Sequence, residues 1–267
     1  MRERPILARR SRRIAALLSL SLVMCACAGL STPAREAAAL KDHNAIAREQ
    51  AEPALRLARA SRAAGDFASA ANLYRTVIAV ESDKAPLLVE LGDTLLQAGA
   101  FDDAIAVYGS VIPASPARLG ALLGLMRAEI ALSQPAQALE YANQAVVLAP
   151  GDTRALVGRG VALDLSGRHT EAQSSYRAVL ARSPRDIAAR NDLALSLALS
   201  SAFSEAVEIL TPIAISSNAS LQARQNLALI YGLMGDNARA SELIKTDLDK
   251  TAVEANLRFY DYVRGTH

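Results

Sequence analysis

The chain has 267 residues, of which 51% are hydrophobic and 4% aromatic, with no tryptophan, a composition that argues against an aromatic cage or a base-stacking surface. Its formal net charge is +2, but six arginines and one glutamate lie within residues 1–13, and without them the net charge changes to −3. The remainder of the chain therefore offers no electrostatic support for a nucleic-acid partner.

The N-terminal segment has the organisation of an export signal. Residues 1–13 are rich in arginine and residues 14–24 form an apolar run, which correspond to the n-region and h-region of a secretory signal. A membrane-spanning helix needs about 20 apolar residues, so this run is short for a permanent anchor.

The end of the apolar run resembles the lipoprotein box of bacteria, since residues 24–29 read Met-Cys-Ala-Cys-Ala-Gly. In that motif a small residue precedes the cysteine that is lipidated and becomes the mature N-terminus. The expected lipidation site is therefore Cys27, which follows Ala26, and residues 1–26 are the expected signal peptide. Cys25 is the alternative, although a methionine would then occupy the small-residue position. An ordinary cleaved signal, or an uncleaved anchor with incidental cysteines, is a further interpretation.

The resemblance to lipoproteins also implies a destination. A residue other than Asp after the lipidated cysteine, here Ala28, favours delivery to the outer membrane, with the chain facing the periplasm; retention at the inner membrane stays open. No cysteine follows Cys27, so we expect no disulfide within the exported domain. Residues 27–50 are predicted to be a partly helical tether, which could reach roughly 70 Å if extended at about 3.3–3.6 Å per residue.

A period of 34 residues governs the rest of the sequence. One alanine recurs in a fixed frame without an insertion, at Ala70, Ala104, Ala138, Ala172, Ala206 and Ala240. Five residues before each alanine stands a glycine or serine, at Gly65, Gly99, Ser133, Gly167, Ser201 and Gly235. Prolines 116, 150 and 184 are also one period apart, and we expect each to end a helix, since proline lacks an N–H and clashes with the preceding turn.

This register resembles the tetratricopeptide repeat, which consists of two antiparallel helices. The resemblance implies an all-α fold, a right-handed α-solenoid of six helix pairs, each packed on its neighbours. The predicted repeats are residues 51–84, 85–118, 119–152, 153–186, 187–220 and 221–254. A C-terminal capping helix is predicted over residues 255–267, after a capping box that Thr251 and Glu254 would form.

Three residues depart from the repeat pattern. Met126 stands at a position that is usually Gly or Ala, Glu129 replaces a bulky apolar residue, and Arg159 occupies the usual Leu position. We expect looser pairing of helices in the third and fourth repeats, or an Arg159 side chain that extends to solvent.

The sequence shows no constellation of catalytic residues. A serine-nucleophile elbow, a phosphate-binding glycine loop and a nucleotide motif are missing. The three histidines are His43, His169 and His267. No two of them are predicted to share a helical face with a carboxylate, so a zinc site has no support. We expect neither enzymatic activity nor a metal or other cofactor.

Binding of a protein partner is the remaining function, and tetratricopeptide proteins bind on a concave face built from positions 2, 5, 9 and 12 of the first helices. Position 5 is occupied by Leu55, Val89, Leu123, Val157, Asn191 and Gln225. Position 9 is occupied by Arg59, Asp93, Arg127, Val161, Leu195 and Leu229. This composition predicts an apolar groove with one polar and one charged end, suited to the apolar face of a partner helix. The alternative is that these side chains only pack one first helix against the next. The Lys/Asn arrangement that clamps a C-terminal carboxylate is not present.

The last two repeats carry a second resemblance. Residues 189–195, Ala-Arg-Asn-Asp-Leu-Ala-Leu, recur at 223–229 as Ala-Arg-Gln-Asn-Leu-Ala-Leu, with Leu-Thr-Pro-Ile-Ala at 210–214 and Val-Glu-Ala-Asn-Leu at 253–257. Over residues 189–264 the chain resembles the TadD family, the tetratricopeptide lipoproteins of tight-adherence (Flp) pilus assembly.

That resemblance implies a non-enzymatic scaffold, anchored in the outer membrane by its N-terminal lipid and facing the periplasm. It would help the pilus secretin to assemble or localise, and its partner would be a segment of secretin or of another pilus component. Two alternatives stay open. One is a lipoprotein adaptor for outer-membrane protein insertion or for a periplasmic protease, and the other is a soluble periplasmic chaperone without an anchor.

Overall fold

The computed structural model describes residues 51–111, 115–216 and 219–265. The predictions for residues 1–50, including the signal peptide, Cys27 and the whole tether, lie outside this range. The chain divides into two compact units, Met1–Pro53 and Ala54–His267. Of the first unit only residues 51–53 are described, and they are helical; the second unit contains the repeats.

The described residues form thirteen helices and contain no strand, which confirms the all-α prediction. Residues 51–63 form α1. The others are α2 (Phe67–Val80), α3 (Ala85–Gln97), α4 (Phe101–Gly109), α5 (Arg118–Ala131), α6 (Pro135–Leu148), α7 (Thr153–Leu165), α8 (His169–Arg182), α9 (Ile187–Leu199), α10 (Phe203–Ala214), α11 (Leu221–Leu233), α12 (Asn237–Ile244) and α13 (Lys250–Gly265).

The helices alternate between two layers. From α3 onward, each odd-numbered helix packs against the next odd-numbered helix as well as against its neighbours in sequence. Even-numbered helices share no comparable contact with one another within the described residues. Because the odd-numbered first helices lie close together and the even-numbered second helices are farther apart, the stack curves with the first helices on its inner, concave face.

The turn between the two helices of each repeat requires one residue with a left-handed backbone conformation, that is, a positive φ. All six Gly or Ser residues predicted for this turn have positive φ, with +81° at Gly65, +56° at Ser133 and +61° at Ser201. Glycine adopts this conformation without a steric penalty, whereas for serine Cβ approaches the following carbonyl. The two serine turns therefore carry a cost that the four glycine turns avoid.

Close packing within each repeat depends on the periodic alanines and on large side chains opposite them. All six alanines are fully buried. The ring of Tyr108 lies between α3 and α5 so tightly that a Cβ atom at Gly92 or at Gly124 would collide with it. The small residues thus allow a tyrosine of the second helix to reach between two first helices.

The third repeat reverses this arrangement. Its tyrosine position holds the fully buried Ala142, and its small position holds Met126. The Met126 side chain lies against Gly158 of the following repeat, much as Tyr108 lies against Gly124. The small residue at position 142 therefore compensates for the large residue at position 126. The looser helix pairing expected for the third repeat is not found at Met126.

Aspartates and a proline stand at the starts of three helices. Asp152 caps α7 by accepting hydrogen bonds from the N–H groups of Arg154 and Ala155, and Asp186 caps α9 by accepting one from Ala189. Such caps satisfy N–H groups that have no partner inside the helix. Pro135 is the first residue of α6, where its missing N–H costs little.

Two helix ends differ from the prediction. Pro116 does not end the second helix of its repeat, since α4 already ends at Gly109. At this end Ser110 donates a hydrogen bond from Oγ to the carbonyl of Val107 (2.6 Å). The helix could not continue through residue 113, because a proline ring there would clash with the carbonyl of Gly109, four residues earlier.

The C-terminal helix also begins earlier than predicted. It starts at Lys250 rather than at residue 255, because Asp249 accepts a hydrogen bond from the N–H of Ala252 (2.8 Å) and acts as the cap. Thr251 lies inside the helix. Helix α13 packs against α11 and α12, in the place that the first helix of a seventh repeat would take.

Candidate functional site

The inner face contains a hollow formed by three first helices, α3, α5 and α7. Its volume is about 620 Å³, within the range of ordinary ligand pockets. We call it the inner hollow, and it is lined by Val89, Asp93, Gly120, Leu123, Met126, Arg127, Ile130, Arg154, Val157, Gly158 and Val161. Six of the twelve residues predicted for the groove are among them, at Val89, Asp93, Leu123, Arg127, Val157 and Val161.

The floor of the inner hollow is apolar, and two glycines allow its side chains to pack close to the helix backbone. At Gly120 the neighbour is Val89, since a Cβ atom there would lie 3.1 Å from Cγ1 of Val89. Met126 covers Gly158 with its thioether. Methionine is flexible and polarizable, so it can adapt its shape to an apolar ligand.

One ion pair crosses the inner hollow between neighbouring repeats. Nη2 of Arg127 lies 2.6 Å from Oδ1 of Asp93. The same carboxylate oxygen accepts a hydrogen bond from the hydroxyl of Tyr108 (2.7 Å). Burial, together with this hydrogen bond, raises the pKa of Tyr108, so the hydroxyl remains a donor at neutral pH.

A second ion pair stands at the start of α7. Arg154 binds Asp152 through Nε (3.1 Å) and Nη2 (2.6 Å). The hydrogen bonds from Arg154 lower the pKa of Asp152, so the N-cap of α7 stays ionised well into acidic solution. The cap therefore fixes Arg154 at the rim of the inner hollow.

The first repeat has a related pair outside the inner hollow. Arg59 binds Glu90 through Nε (2.9 Å) and Nη2 (2.6 Å), and the hydroxyl of Tyr74 donates to the same carboxylate (2.8 Å). Burial raises the pKa of Tyr74 to about 12. The predicted charged end of the groove thus consists of ion pairs between repeats. Leu55 is half-buried and packs into the core cluster of the first repeats.

The other predicted groove residues lie farther along the stack. Leu195, Leu229 and Gln225 are half-buried on α9 and α11. Asn191 is buried, and its side-chain oxygen accepts a hydrogen bond from Nδ2 of Asn226 (2.8 Å). It therefore joins two first helices and is not part of an open polar end, a correction to the predicted groove.

The prediction missed five residues that line the inner hollow. Gly120, Arg154 and Ile130 occupy positions 2 and 12 of their repeats, so the known repeat geometry could have identified them. Met126 and Gly158 could not be found in this way, because they line the hollow only through the exchange of large and small residues in the third repeat.

A partly buried polar network between the fourth and fifth repeats was also missed. Nδ1 of His169 lies 2.8 Å from Oδ1 of Asp164. Asp164 also accepts hydrogen bonds from the hydroxyls of Ser196 (2.7 Å) and Tyr176 (3.0 Å). The buried hydroxyl of Ser196 thus donates to the carboxylate, not to the imidazole, so it lacks the base that a serine nucleophile needs.

Residues 51–111, 115–216 and 219–265 contain neither a metal-binding cluster nor a membrane-spanning helix. Among them, no group of three or more His, Cys, Asp or Glu side chains is placed to hold a metal ion. None of the helices there combines the length and the hydropathy needed to cross a bilayer.

Solved structures with the same fold include several tetratricopeptide proteins. The MamA protein has a TM-score of 0.53 at 21% identity over 67% of this chain and 92% of its own. MamA 41-end from Desulfovibrio magneticus RS-1 has a TM-score of 0.55 at 19% identity over 61% of this chain and 92% of its own. YrrB, described as a TPR protein with an unusual peptide-binding site, has a TM-score of 0.50 at 21% identity over 72% of this chain and 91% of its own. At these identities the likeness concerns the fold.

Sequence comparisons give the family. The uncharacterized protein y4yS of Sinorhizobium fredii (strain NBRC 101917 / NGR234) is 37% identical over 62 residues, 23% of this chain and 34% of that protein. The chain thus matches about a third of the length of this relative. One tetratricopeptide-repeat model matches residues 55–118 and 166–211, and a second matches residues 95–158. Together they cover more than half of the chain, which therefore belongs to the tetratricopeptide-repeat family.

Proposed function

We propose that the chain is a protein-binding scaffold that holds an apolar segment of a partner in the inner hollow. Tetratricopeptide-repeat proteins generally bind protein partners and act as non-enzymatic scaffolds. The observation that carries the proposal is an apolar floor enclosed by three first helices on the concave face.

Packing between the first helices does not use up this apolar surface. Val89, Val157 and Val161 remain half-buried after α3, α5 and α7 have packed, and all three line the inner hollow. Apolar surface that folding leaves accessible contributes to affinity when a partner covers it, by about 25 cal/mol per Å² before the costs of association.

The test of the groove compares two Val→Asp substitutions in the whole chain. Val161→Asp places a charge in the inner hollow, while Val147→Asp places one on the outer side of α6, where Val147 is already exposed. We expect Val161→Asp to weaken partner binding at least tenfold, or about 1.4 kcal/mol, and Val147→Asp to leave it within twofold. Circular dichroism establishes that both variants are folded. Unchanged binding by a folded Val161→Asp variant would refute the groove.

We also propose that the chain is exported and anchored in the outer membrane by a lipid at Cys27. Support comes from the arginine-rich and apolar segments and from the small residue before Cys27. Membrane fractionation with lipid labelling tests this, with wild type, Cys27→Ser and Cys25→Ser side by side. Loss of label and release into the soluble periplasm in Cys27→Ser alone is the expected result. If Cys27→Ser remains associated with the membrane, the anchor is instead Cys25 or an uncleaved segment of residues 14–24.

The cellular task that we propose is assembly or localisation of the tight-adherence (Flp) pilus machinery, with its secretin as the first candidate partner. The resemblance of residues 189–264 to the TadD family supports this task. Deletion of the gene should reduce the secretin oligomers in the outer membrane and leave other outer-membrane proteins at normal levels. A general loss of outer-membrane proteins would favour an insertion adaptor. A chain without lipid label that protects unfolded proteins would favour a soluble periplasmic chaperone.

A further inference from the structure

Ion pairs of the inner face expose their cations more than their anions. The side chain of Arg127 is 49% exposed and that of Asp93 33%. In the second pair, Arg154 is 70% exposed and Asp152 15%. The pair of the first repeat follows the same order, with Arg59 at 50% and Glu90 at 22%.

The lower exposure of the carboxylates has a structural cause, because each of the two carboxylates at the inner hollow also accepts a hydrogen bond from a second donor on its protein side. For Asp93 this is the hydroxyl of Tyr108 (2.7 Å). For Asp152 it is the backbone N–H of Arg154 (2.9 Å), which forms part of the helix cap. The carboxylates are therefore less exposed than the guanidinium groups that pair with them. A ligand that enters the inner hollow contacts the cationic groups more readily than the anionic ones.

An ion pair between second helices lacks this order. Arg177 of α8 and Glu205 of α10 lie 2.9 Å apart, and their side chains are 46% and 50% exposed. The carboxylate there is as accessible as the guanidinium. The greater exposure of the cation in the three inner-face pairs therefore does not follow from ion pairing itself.

Both guanidinium groups of the inner hollow keep N–H donors for a ligand. Arg127 donates through Nη2 to Asp93 and through Nε to the carbonyl of Leu123 (3.2 Å). Arg154 uses Nε and Nη2 for Asp152. Since a guanidinium group has five N–H donors, the Nη1 group of each arginine remains able to bind a carboxylate at the edge of the apolar floor.

We propose that the occupant of the inner hollow is a partner segment in which acidic side chains alternate with apolar ones. Its apolar side chains lie on the floor that Val157, Val161 and Met126 provide, and its carboxylates bind Arg127 and Arg154. A segment with basic side chains at the same places would bring like charges together, which opposes binding. This inference rests on the proposed function, since it names the chemistry of the segment that the groove holds.

Three synthetic peptides test the charge of the occupant. Each is a 15-residue amphipathic helix with leucines at the same positions, and the intervening positions hold Glu in the first, Lys in the second and Gln in the third. Fluorescence anisotropy measures their binding to the whole chain. We expect the Glu peptide to bind at least tenfold more tightly than the Lys peptide, with the Gln peptide between them, and this preference to shrink with added salt.

Substitution of both arginines locates the preference. In Arg127→Gln/Arg154→Gln the Glu peptide should lose its advantage, while the matched outer-face variant Arg177→Gln should keep it. Because the double substitution leaves Asp93 and Asp152 without their cations, thermal unfolding is measured in parallel. Arg127→Lys/Arg154→Lys, which retains both charges, should restore the preference even if the Gln variant is unstable.

The outcomes separate this inference from the function on which it rests. Equal binding of all three peptides, abolished by Val161→Asp, would overturn the acidic occupant and leave the apolar groove standing. A preference for the Glu peptide that persists in a folded Arg127→Gln/Arg154→Gln variant would also overturn it. If no peptide binds the wild-type chain, both the groove and the inference are refuted.

Discussion

Ser133 and Ser201 each turn the chain with a positive φ, at the position where four other repeats have glycine. Replacement of Ser133 by glycine removes the clash between Cβ and the following carbonyl, and the greater freedom of glycine in the unfolded chain offsets part of the gain. We expect Ser133→Gly to raise the free energy of unfolding by about 0.5–1 kcal/mol, measured by urea denaturation.

A serine outside the left-handed region provides the control. Ser110 has φ −78° at the end of α4, where glycine brings no relief, so Ser110→Gly should lower the free energy of unfolding. Equal effects of the two substitutions would mean that the left-handed turn of Ser133 is not strained.

Glu129 is a buried carboxylate at a position where three of the other repeats have a leucine. It is 8% exposed, whereas Leu95, Leu163 and Leu197 at the equivalent positions are 5% exposed or less. Burial, with some repulsion from Asp102, raises the pKa of Glu129. We expect Glu129→Leu to raise the free energy of unfolding at pH 7 by about 1–2 kcal/mol, because it buries an apolar side chain and removes a desolvated charge.

The pH dependence identifies the charge as the cause. A carboxyl group whose pKa is raised by folding destabilises the native state above its unfolded pKa of about 4.3. The gain from Glu129→Leu should therefore be greatest at neutral pH and shrink as the pH falls through the folded pKa of Glu129. Glu129→Gln should reproduce the pH-dependent part, and Glu140→Leu, at an exposed position of α6, should show neither effect. A gain independent of pH would assign the whole effect to packing.

At the scale of helix pairs, the exchange of Met126 and Ala142 predicts that the two sites are coupled. Met126→Ala should cost about 2–4 kcal/mol because it leaves a cavity, and Ala142→Tyr should cost about 1–3 kcal/mol because the ring meets Met126. In the double variant the tyrosine can fill the space above Gly158, as Tyr108 fills the space beside Gly124. The loss should then be at least about 1 kcal/mol smaller than the sum of the two.

Chemical denaturation of the four proteins measures this coupling as a double-mutant cycle. Leu122 and Ala145 lie in the same core cluster as both residues. A second cycle with Leu122→Gly and Ala145→Val tests whether any two neighbours in this core show a similar coupling energy. Additive losses in the Met126/Ala142 cycle would show that the methionine does not replace the missing tyrosine.

Helices could be predicted from the period, since the alanine and the turn residue recur without an insertion and each has a local steric role. The 34-residue period could not predict contacts between residues that occupy different positions of their repeats. Asn191 was assigned to the groove by its position, but its partner Asn226 lies 35 residues away and is not its repeat equivalent. The pairing of His169 with Asp164 likewise joins the first residue of α8 to the preceding helix. For the inner hollow, the valines were predictable, but the place of Met126 in the floor depends on the missing side chain of Gly158.

On the scale of the whole molecule, the repeats form a chain of neighbour contacts. Each helix packs against helices one or two places away in sequence, so the loss of one interface is expected to destabilise its own end of the stack first. The C-terminal end depends on α13, whose Tyr260 packs with Ala228, Ala240 and Ile244. A Cβ atom at Gly232 would collide with the Tyr260 ring, which shows how closely α13 lies against α11.

This arrangement predicts that Tyr260→Ala acts locally. The side chain is 3% exposed, and its removal should lower the stability of the terminal repeat by about 3–5 kcal/mol, as for other buried aromatic residues. Native-state hydrogen exchange should then show faster exchange of the amides in α11, α12 and α13, and unchanged exchange in α3 to α6. Tyr262→Ala is the matched control, since this tyrosine of the same helix is 70% exposed and its loss should leave exchange unaltered. Faster exchange throughout the stack in Tyr260→Ala would mean that the six repeats unfold as one cooperative unit, and that α13 stabilises the distant inner hollow as well as its own end.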